Sequence, residues 1–428
     1  MLIKPIKRIR QSIMVPGDKS ISHRAVMFSS IAEGESIIHN FLMGEDCLST
    51  IDCFRKLQVP IDIEGNLVKV RGGGLRSLRE PNARLDVGNS GTTIRLIAGI
   101  LSGQKFDCEI TGDASIQRRP MGRVIKPLRE MGAEIYGIER ENHAPLAIKG
   151  HQLAGIHYDM PIASAQVKSS ILLAGLYGKG ITSIQEPQKS RDHTERMLRH
   201  MGADIRVEGL QVLCKPVDKL YGKEVYVPGD ISSAAFFLVL GTIAEDGEIL
   251  IRDVGLNPTR TGIIDVLEQM GARIKVLNKR YSSEEPMGDL LVTSSALKGV
   301  EIGGEIIPRL IDEIPVIAVA AAFAKGTTII RDAQELKVKE SNRITAMVTE
   351  LKKIGADIEE TEDGMVIYGR DTLRGGTIES YHDHRIAMAL AIAGMRSQEG
   401  VFINNSNCVA ISFPNFFNII DRMMQNEN

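Results

Sequence analysis

The sequence is poor in residues that stack on nucleic-acid bases, and it carries almost no net charge. It contains no tryptophan, aromatic residues make up 4% of its 428 residues, and the formal net charge at pH 7 is −2. Nucleic-acid-binding proteins combine a basic surface with aromatic side chains on which bases stack. The composition therefore argues against a nucleic-acid partner, and a bound anion would have to be held by a local group of cations.

Cysteine pairs and long apolar runs are also missing. The five cysteines include no C-x-x-C pair, so the sequence indicates neither a disulfide framework nor a thiolate metal site. No apolar run is long and clean enough to cross a bilayer, and the opening residues lack the apolar stretch of a signal peptide. We expect a cytoplasmic protein with no membrane partner, and the chain length predicts two domains.

Several common catalytic motifs are absent. The chain has no G-x-x-x-x-G-K-[ST] nucleotide loop and no G-x-S-x-G nucleophile elbow. His382 and His384 flank an acid, but no further ligand cluster accompanies them, and the adjacent Arg385 would repel a cation. The sequence therefore predicts no metal site. Anion binding combined with acid–base chemistry remains.

One pattern recurs along the chain: an amphipathic helix ends at a glycine and a strand follows. The clear copies are LREMGAEI (128–135), LRHMGADI (198–205), LEQMGARI (267–274) and LKKIGADI (351–358), with FRKLQVPI (54–61) as a degenerate fifth. Glycine suits the left-handed residue that ends a helix. The spacing of about 70 to 85 residues is that of a βαβ-type unit rather than a solenoid repeat.

Each unit also contains a segment that is almost wholly apolar. These segments are AVMFSSIA, TTIRLIAGIL, VKSSILLAGL, SSAAFFLVLGTIA, PVIAVAAAFA and RIAMALAIAG. A helix that is apolar all round is buried on every side, so these six helices should form the cores. The phrase VPGD stands at 15–18 and again at 227–230. We therefore expect one domain of residues 1–14 and 228–428 and another of residues 15–227, with three units each.

Polar and basic residues stand where several of these helices begin. They are Lys19 and Arg24, Asn89 to Thr92, Arg118 and Arg119, Ser164, Gln166 and Lys168, Arg191, Lys337, Lys339, Glu340 and Arg343, and His382 to Arg385. Each alone could be a solvated charge or a structural ion pair. Because helix N-termini already carry positive potential, their repeated clustering there predicts a cleft that binds more than one phosphate or carboxylate.

Two acids lie among these cations. Asp312 precedes a buried helix, where an acid is also an ordinary cap, and Glu340 could simply pair with Lys339 and Arg343. Either acid could equally carry a proton during a reaction. The residues alone leave both interpretations open.

The motifs resemble those of the 5-enolpyruvylshikimate-3-phosphate synthases over essentially the whole chain. The matching phrases are PGDKSISHR, GNSGTTIR, RRPMG, SAQVKS, SRDHTE, IDEIPVIAVAAAFAKG, VKESNR, DHRIAMALA and SFPNF. The resemblance implies the α/β two-domain enolpyruvyl transferase fold, in which each domain has three βαβαββ units with buried parallel helices. It also implies that the first strand belongs with the C-terminal half and that the active site lies in the cleft between the domains.

The implied reaction transfers the enolpyruvyl group of phosphoenolpyruvate to the 5-hydroxyl of shikimate 3-phosphate and releases phosphate, a step of chorismate and aromatic amino acid biosynthesis. The resemblance implies a monomer that needs no metal or organic cofactor. It assigns Asp312 as the base, and Glu340, with Lys19 nearby, as the group that protonates the methylene carbon. Phosphoenolpyruvate would contact Lys19, Gly91, Arg119, Gln166, Arg343 and Arg385. Shikimate 3-phosphate would contact Lys19, Ser20, Arg24, Ser164, Ala165, Gln166, Arg191, Asp312 and Lys339.

Two departures from the family pattern bear on the subtype. Ile411 stands where part of the family carries a lysine, and SRDHTE (190–195) stands where those members differ; both features resemble the class II branch. Ala165 replaces a serine that part of the family carries, so the flanking groups would hold the phosphate there. The class II branch includes glyphosate-tolerant forms, but Gly91 stands where a strongly tolerant form has alanine, so tolerance stays open. Two other functions are alternatives to this transfer reaction. A related transferase that acts on UDP-N-acetylglucosamine normally has a reactive cysteine, which GDASIQRRPMG (112–122) lacks. A non-catalytic anion-binding protein is the second alternative.

Overall fold

The structure is a computed structural model, and it describes residues 1–425. In chain order the strands are β1 Leu2–Ile3, β2 Arg8–Met14, β3 Glu33–His39, β4 Ile61–Glu64, β5 Leu67–Gly73, β6 Leu85–Asp86, β7 Asp107–Thr111, β8 Glu134–Gly137, β9 Leu146–Lys149, β10 His157–Asp159, β11 Thr182–Gln185, β12 Ile205–Glu208, β13 Gln211–Cys214, β14 Glu224–Tyr226, β15 Asp246–Gly255, β16 Arg273–Ser282, β17 Glu285–Thr293, β18 Glu301–Ile302, β19 Thr327–Ile330, β20 Asp357–Glu360, β21 Met365–Tyr368, β22 Gly376–Glu379 and β23 Val401–Asn404.

The α-helices alternate with these strands. They are α1 Lys19–Ser30, α2 Glu45–Lys56, α3 Gly91–Ser102, α4 Ala114–Arg118, α5 Gly122–Glu130, α6 Ala165–Gly175, α7 His193–His200, α8 Ile231–Ile243, α9 Gly262–Gln269, α10 Ile307–Leu310, α11 Ile314–Ala322, α12 Arg343–Lys353, α13 His384–Arg396 and α14 Phe416–Gln425. Short 3-10 segments occur at Gly304–Ile306, Gln334–Val338 and Ser406–Ile411. Within residues 1–425, no helix is both long and apolar enough to span a membrane.

The chain divides into two compact units, each with its own apolar core. Unit 1 comprises Met1–Pro16, Pro228–Tyr281 and the described chain from Pro286 onward, and unit 2 comprises Gly17–Val227 and Ser282–Glu285. The bounds expected from the sequence had grouped residues 15 and 16 with the second domain and 282–285 with the first. Val15 is buried with the core of unit 1, and the short loop between β16 and β17 is counted with unit 2.

Each unit contains three small mixed sheets. Those of unit 2 have the strand orders β14-β3-β5-β4, β6-β7-β9-β8 and β10-β11-β13-β12, and those of unit 1 are β16-β17-β15-β2, β18-β19-β21-β20 and β1-β23-β22. In the four-stranded sheets β6 pairs in parallel with β7, β10 with β11, β14 with β3, β2 with β15 and β18 with β19. A helix connects most of these parallel pairs, as the topology of parallel strands requires. The α/β class predicted from the repeat is confirmed.

The sheet β1-β23-β22 is the exception to the four-stranded pattern. β22 and β23 pair in parallel, and β1 supplies the antiparallel neighbour of β23. The chain continues from β23 into the 3-10 segment Ser406–Ile411 and α14 rather than into another strand pair. The first strand, β1, therefore lies in the same unit as the C-terminal part of the chain.

The six apolar segments form the central helices of the two units. They lie in α1, α3 and α6 of unit 2 and in α8, α11 and α13 of unit 1. Every residue of α8 and α11 is buried, and in α1 only Lys19 and in α13 only Arg396 escape burial. The prediction that these helices form the cores is confirmed, and their polar first turns are the places where backbone N–H groups have no helical acceptor.

The glycines of the repeated motif take the left-handed conformation that the pattern predicted. Their φ angles are 93° at Gly132, 100° at Gly202, 99° at Gly271 and 97° at Gly355. In the degenerate copy Gln58 occupies the glycine position and also has a positive φ, 66°. The backbone geometry is therefore kept in all five copies, although a side chain is strained there in one of them.

Pro120 does not begin a helix, although proline suits the first helical position and Pro120 directly follows the basic pair Arg118 and Arg119. α4 ends at Arg118 and α5 begins at Gly122. Arg119 adopts extended angles, φ −77° and ψ 134°, which the steric demand of a following proline favours. Pro120 thus separates two helices and leaves Arg119 in the connection between them.

Candidate functional site

The N-terminus of α1 in unit 2 is built by a cap and an ion pair. The Asp18 carboxylate accepts a hydrogen bond from the Ile21 backbone N–H at 2.9 Å. Lys19, the first helical residue, forms an ion pair with Asp46, the second residue of α2. Asp46 is nearly buried, and the Lys19 side chain is 20% exposed. The ammonium group is therefore held in place on a side chain that is partly exposed to solvent.

Arg24 is a buried cation whose direct hydrogen-bond acceptors are neutral groups. Its Nε donates to Thr194 Oγ1 at 2.7 Å, and its Nη2 donates to Ser169 Oγ at 2.9 Å and to Gln166 Oε1 at 3.3 Å. Its Nη1 donates to the Ser20 carbonyl at 3.0 Å. Burial lowers the pKa of Arg24 to about 10, so it is charged at neutral pH. The acceptors of these hydrogen bonds are all neutral, and the carboxylate that acts most strongly on the Arg24 charge is that of Glu195.

His23 lies in the positively charged environment of Lys19 and Arg24. It is completely buried, and its Nδ1 lies 2.7 Å from Thr50 Oγ1. Burial, followed by the charges of Lys19 and Arg24, lowers its pKa well below the ordinary value. The imidazole is therefore neutral at physiological pH and adds no charge to the group.

Gly91 begins α3 directly beside two guanidinium groups. A Cβ built on Gly91 would lie 2.7 Å from Arg95 Nη1 and 3.0 Å from Arg119 Nη1. Arg119 Nη2 donates to Asn89 Oδ1 and Ser115 Oγ, both at 3.2 Å. The absence of a side chain at Gly91 thus lets two cations approach a helix N-terminus.

The start of α6 connects these two groups of side chains. Ser164 caps the helix by accepting from the Val167 backbone N–H at 3.4 Å, and Ala165 and Gln166 are its first residues. Gln166 accepts from Arg24 and donates through Nε2 to Thr92 Oγ1 at 2.9 Å. Arg191 is close enough to Arg24 to lower the pKa of that residue further.

The predicted residues of unit 2 are thus linked to one another by direct contacts, by positions at the same helix start, or by electrostatic interactions. These are Lys19, Ser20, Arg24, Gly91, Arg119, Ser164, Ala165, Gln166 and Arg191.

Lys168, a further candidate at the start of α6, has a different environment. It is fully buried and lies 2.9 Å from Glu186 and 2.7 Å from Glu195. Burial opposes its charge, but these carboxylates outweigh it and raise the pKa of Lys168. Lys168 is therefore a structural ion-pair residue.

The predicted residues of unit 1 meet around a single guanidinium. Arg343, the first residue of α12, has a side chain that is 2% exposed. Its Nη2 donates to Glu340 Oε2 at 2.6 Å, and its Nη1 donates to Asp312 Oδ1 at 3.3 Å. Lys339 Nζ lies 3.3 Å from the same Asp312 oxygen. Both candidate proton carriers are thus fixed on one cation.

A third carboxylate, Asp383, holds the other side of Arg343. Arg343 Nε donates to Asp383 Oδ2 at 2.9 Å, and Nη2 donates to Oδ1 at 3.3 Å. Burial raises the pKa of Asp383, but the charge of Arg343, with that of His384 and the hydrogen bond from Arg343, outweighs it and lowers the pKa. Burial likewise opposes the charge of Arg343, while the three carboxylates raise its pKa. Asp383 and Arg343 are both ionised at neutral pH.

Arg385 is linked to this group through the backbone. Its N–H donates to Asp383 Oδ1 at 2.9 Å, which caps α13. Its side chain is 10% exposed, and Nη1 lies 3.5 Å from the Ser232 carbonyl and 3.8 Å from Glu313 Oε1. Among residues 1–425, no acceptor takes a hydrogen bond from its Nε or Nη2. The Nε and Nη2 donors of Arg385 are therefore available to a ligand, whereas the same donors of Arg343 are bound to carboxylates of the protein.

Two carboxylates of these groups were not recognised from the sequence. Asp46 looked like an ordinary acid in the first turn of a helix, and nothing local indicated that it pairs with Lys19. Asp383 was noted in the HDH triplet but was assigned no role. Its position directly before a helix was a signal for capping, whereas its pairing with Arg343 depends on how α12 and α13 pack.

The described part of the chain offers side chains for anions rather than for metals. No group of three or more His, Cys, Asp and Glu residues within residues 1–425 could hold a metal ion. Each unit instead gathers cations at the N-termini of buried helices. Fold and site together define an α/β protein that binds small anions and carries carboxylates beside them.

Comparisons with known proteins specify the family. The family model described as EPSP synthase (3-phosphoshikimate 1-carboxyvinyltransferase) matches residues 3–420, and the chain belongs to that family. A protein of Bacillus cytotoxicus named 3-phosphoshikimate 1-carboxyvinyltransferase is 58% identical over 415 residues, which cover 97% of this chain and 98% of the relative. One of Thermoanaerobacter sp. strain X514 with the same name is 57% identical over 421 residues, covering 98% and 99%.

A solved structure also matches. The EPSP synthase of Acinetobacter baumannii superimposes with a TM-score of 0.89 at 46% identity, covering 99% of this chain and 97% of that chain. The resemblance and the fold inferred from the sequence motifs are confirmed. The class II subtype, the domain bounds and the roles of individual residues stay predictions.

Proposed function

We propose that this chain transfers the enolpyruvyl group of phosphoenolpyruvate to the 5-hydroxyl of shikimate 3-phosphate and releases phosphate. Family membership supports the reaction. The observation that carries its chemistry is the arrangement around Arg343, where Glu340 and Asp312 are held on one guanidinium with Lys339 beside them. Addition of a hydroxyl to an enol phosphate needs an acid at the methylene carbon and a base at the hydroxyl.

Asp312 is suited to accept the proton of the attacking hydroxyl. Lys339 and Arg343 both contact its Oδ1, and two adjacent cations favour the ionised carboxylate, which can only accept. Lys339 would at the same time bind the hydroxyls of the shikimate ring. Asp312, the base, and Lys339, the group that orients the nucleophile, are therefore in contact with each other.

Glu340 is assigned as the acid that protonates the methylene carbon, together with Lys19 of unit 2. Once its proton has been transferred, Glu340 is a carboxylate, and the Arg343 donor at 2.6 Å would stabilise that charge. Addition gives a tetrahedral intermediate. The methyl carbon then returns a proton to Glu340, phosphate leaves with the proton held by Asp312, and the enol ether of the product forms.

The anions are assigned to the cationic helix starts. Arg24, Ser20, Ser164, Ala165, Gln166 and Arg191 would hold shikimate 3-phosphate with Lys19, Asp312 and Lys339. Lys19, Gly91, Arg119, Gln166, Arg343 and Arg385 would hold phosphoenolpyruvate. Buried Arg24, whose direct hydrogen-bond acceptors are all neutral, and the available donors of Arg385 support these assignments. The location of the active site between the domains stays a prediction, as do the monomeric state and the cytoplasmic location.

The test measures phosphate release from phosphoenolpyruvate with shikimate 3-phosphate and, separately, with UDP-N-acetylglucosamine as acceptor. Glu340→Gln should lower kcat by about 100-fold or more, which is the usual contribution of a general acid. Glu359→Gln, an exposed neutralisation on β20, should leave the rate unchanged. Release only with the shikimate acceptor supports the proposal. Release with the nucleotide sugar, or binding of both ligands without release, would favour one of the two alternatives.

A further inference from the structure

Glu313 is a buried carboxylate that the proposed mechanism does not use. It follows Asp312 directly, stands just before α11 and has no exposed side-chain surface. Its Oε1 accepts a hydrogen bond from the Ser232 hydroxyl and lies 3.5 Å from Arg260 Nη2. Its Oε2 accepts no hydrogen bond from the described residues. A buried carboxylate is costly without a partner. The nearest cation to Glu313 is Arg260, which is therefore its principal counter-ion.

The same carboxylate oxygen faces Arg385. Glu313 Oε1 is 3.8 Å from Arg385 Nη1, which also lies 3.5 Å from the Ser232 carbonyl. Ser232 therefore contacts the cluster with two atoms: its hydroxyl contacts Arg260 and Glu313, and its carbonyl accepts from Arg385. These four residues form one contact network on the inner side of Arg385.

The charges of this network leave Arg385 able to bind an anion. Two guanidinium groups, those of Arg260 and Arg385, face one carboxylate. Arg343 differs, because three carboxylates occupy its donors. Arg385 faces Glu313 through Nη1, at 3.8 Å, and no described residue accepts a hydrogen bond from its Nε or Nη2.

We propose that Glu313 is a positioning residue, which together with Arg260 and Ser232 orients the Arg385 guanidinium for the anion of phosphoenolpyruvate. The proposal rests on the function proposed above. Without the charge of Glu313, Arg260 and Arg385 would repel each other across Ser232, and Arg385 would leave its orientation. Without the charge of Arg260, Glu313 would pair fully with Arg385 and compete with the substrate. Either change should therefore weaken binding of phosphoenolpyruvate.

The decisive variants are Glu313→Gln, Arg260→Gln and the double variant. Each single variant should raise the KM for phosphoenolpyruvate by about tenfold, as expected when one guanidinium contact to an anion is removed. The KM for shikimate 3-phosphate should stay within about twofold, since Arg385 is not assigned to that substrate. In the double variant, the increase should be clearly smaller than the product of the single increases, because the two charges act through each other.

Structural damage is separated from positioning by two further variants. Asp289→Asn removes another nearly buried carboxylate of unit 1, which accepts from Asn278 and the Asp253 backbone N–H. It should leave both KM values unchanged even if it destabilises the protein. Ser232→Ala removes only a hydroxyl, and should raise the KM for phosphoenolpyruvate by about threefold while the chain stays folded. It replaces Glu313→Gln as the test if that variant does not fold.

Calorimetric titration with phosphoenolpyruvate, with shikimate 3-phosphate present, measures the Arg385 contact whether or not turnover occurs. A weaker affinity in Glu313→Gln with an unchanged affinity for shikimate 3-phosphate supports the proposal. An unchanged affinity for phosphoenolpyruvate, or equal losses for both ligands, overturns it. Failure of the wild-type chain to release phosphate would instead refute the proposed function, and that result comes from a separate assay.

Discussion

Arg343 and Asp383 face each other with two donors against two carboxylate oxygens, at 2.9 and 3.3 Å, and both side chains are buried. The same Asp383 accepts from the Arg385 backbone N–H. One carboxylate therefore fixes the guanidinium on α12 and the first turn of α13. Two arginines assigned to phosphoenolpyruvate depend on this single residue.

We expect this pair to make stability depend on pH in the acidic range. The folded-state pKa of Asp383 is lowered by Arg343, so its stabilisation is fully present above the unfolded pKa of about 3.9. It is lost as the pH falls through the lower, folded-state pKa. Asp383→Asn should cost about 3 kcal/mol or more at pH 7, since Arg343 loses a buried partner. Asparagine can still cap α13.

Urea unfolding followed by far-ultraviolet circular dichroism measures this effect, because the chain has no tryptophan to report by fluorescence. The difference in free energy of unfolding between wild type and Asp383→Asn should shrink as the pH is lowered below about 4. A difference that stays constant from pH 7 to pH 3 would show that the charge of Asp383 is not what stabilises the fold.

Gly91→Ala should weaken binding of phosphoenolpyruvate without destabilising the chain. The new methyl group would meet Arg95 Nη1 and Arg119 Nη1, which are ends of flexible side chains that can move. Alanine is also a better helix former than glycine. We expect the KM for phosphoenolpyruvate to rise by about tenfold, with thermal stability equal to or above that of wild type.

Gly99→Ala on the same helix is the matched contrast. There the methyl group would press on the backbone carbonyl of Ser170 in α6, which cannot move without shifting the helix. It should lower the melting temperature, because overpacking of a close contact is destabilising. If Gly91→Ala lowers stability and leaves the KM unchanged, Arg95 and Arg119 do not have the positions described.

Lys168→Met should destabilise unit 2 by about 3 to 5 kcal/mol, because Glu186 and Glu195 would remain buried without their cation. A drop in melting temperature of about 10 °C corresponds to that range. Adding Glu186→Gln and Glu195→Gln to Lys168→Met should recover a large part of the loss, because the uncompensated charges are then gone. A triple variant less stable than Lys168→Met would contradict this account.

The sequence predicted what depends on local composition. The six core helices could be recognised because they are apolar all round, and the helix-start cations because they break the expected charge preference of a first turn. Side-chain pairing across elements could not be recognised in this way. Asp312 and Glu313 are adjacent acids, yet one contacts Lys339 and Arg343 and the other contacts Ser232 and Arg260.

The same reason explains why Lys168 was grouped with the anion-binding candidates and why the role of Asp46 was not recognised. Lys168 stands in a motif beside Ser164 and Gln166, but its helical position directs it toward Glu186 and Glu195. Asp46 meets Lys19 only because α1 and α2 pack together. Packing geometry decides such partners, and a local sequence pattern does not contain it.

Gln58→Gly should stabilise the protein by about 0.5 to 1 kcal/mol. Gln58 is exposed and left-handed, with φ 66°, at the position where four other copies of the motif have glycine. A Cβ has a steric cost in this conformation, and glycine avoids that cost. The steric cost exceeds the additional entropy that glycine loses on folding. The Gln58 side chain makes a long hydrogen bond, from Nε2 to the Lys56 carbonyl at 3.4 Å, and its removal should cost little on an exposed surface.

The reverse substitution, Gly132→Gln, is the matched control. Nothing lies closer to a Cβ at Gly132 than the Gln152 carbonyl at 3.8 Å, so space is available and only the φ of 93° opposes the side chain. It should destabilise the protein by about 1 kcal/mol or more. Urea unfolding of both variants measures the two changes. Opposite signs support a conformational cost at this helix terminus, whereas a Gln58→Gly variant less stable than wild type would show that the glutamine side chain contributes more than its backbone strain removes.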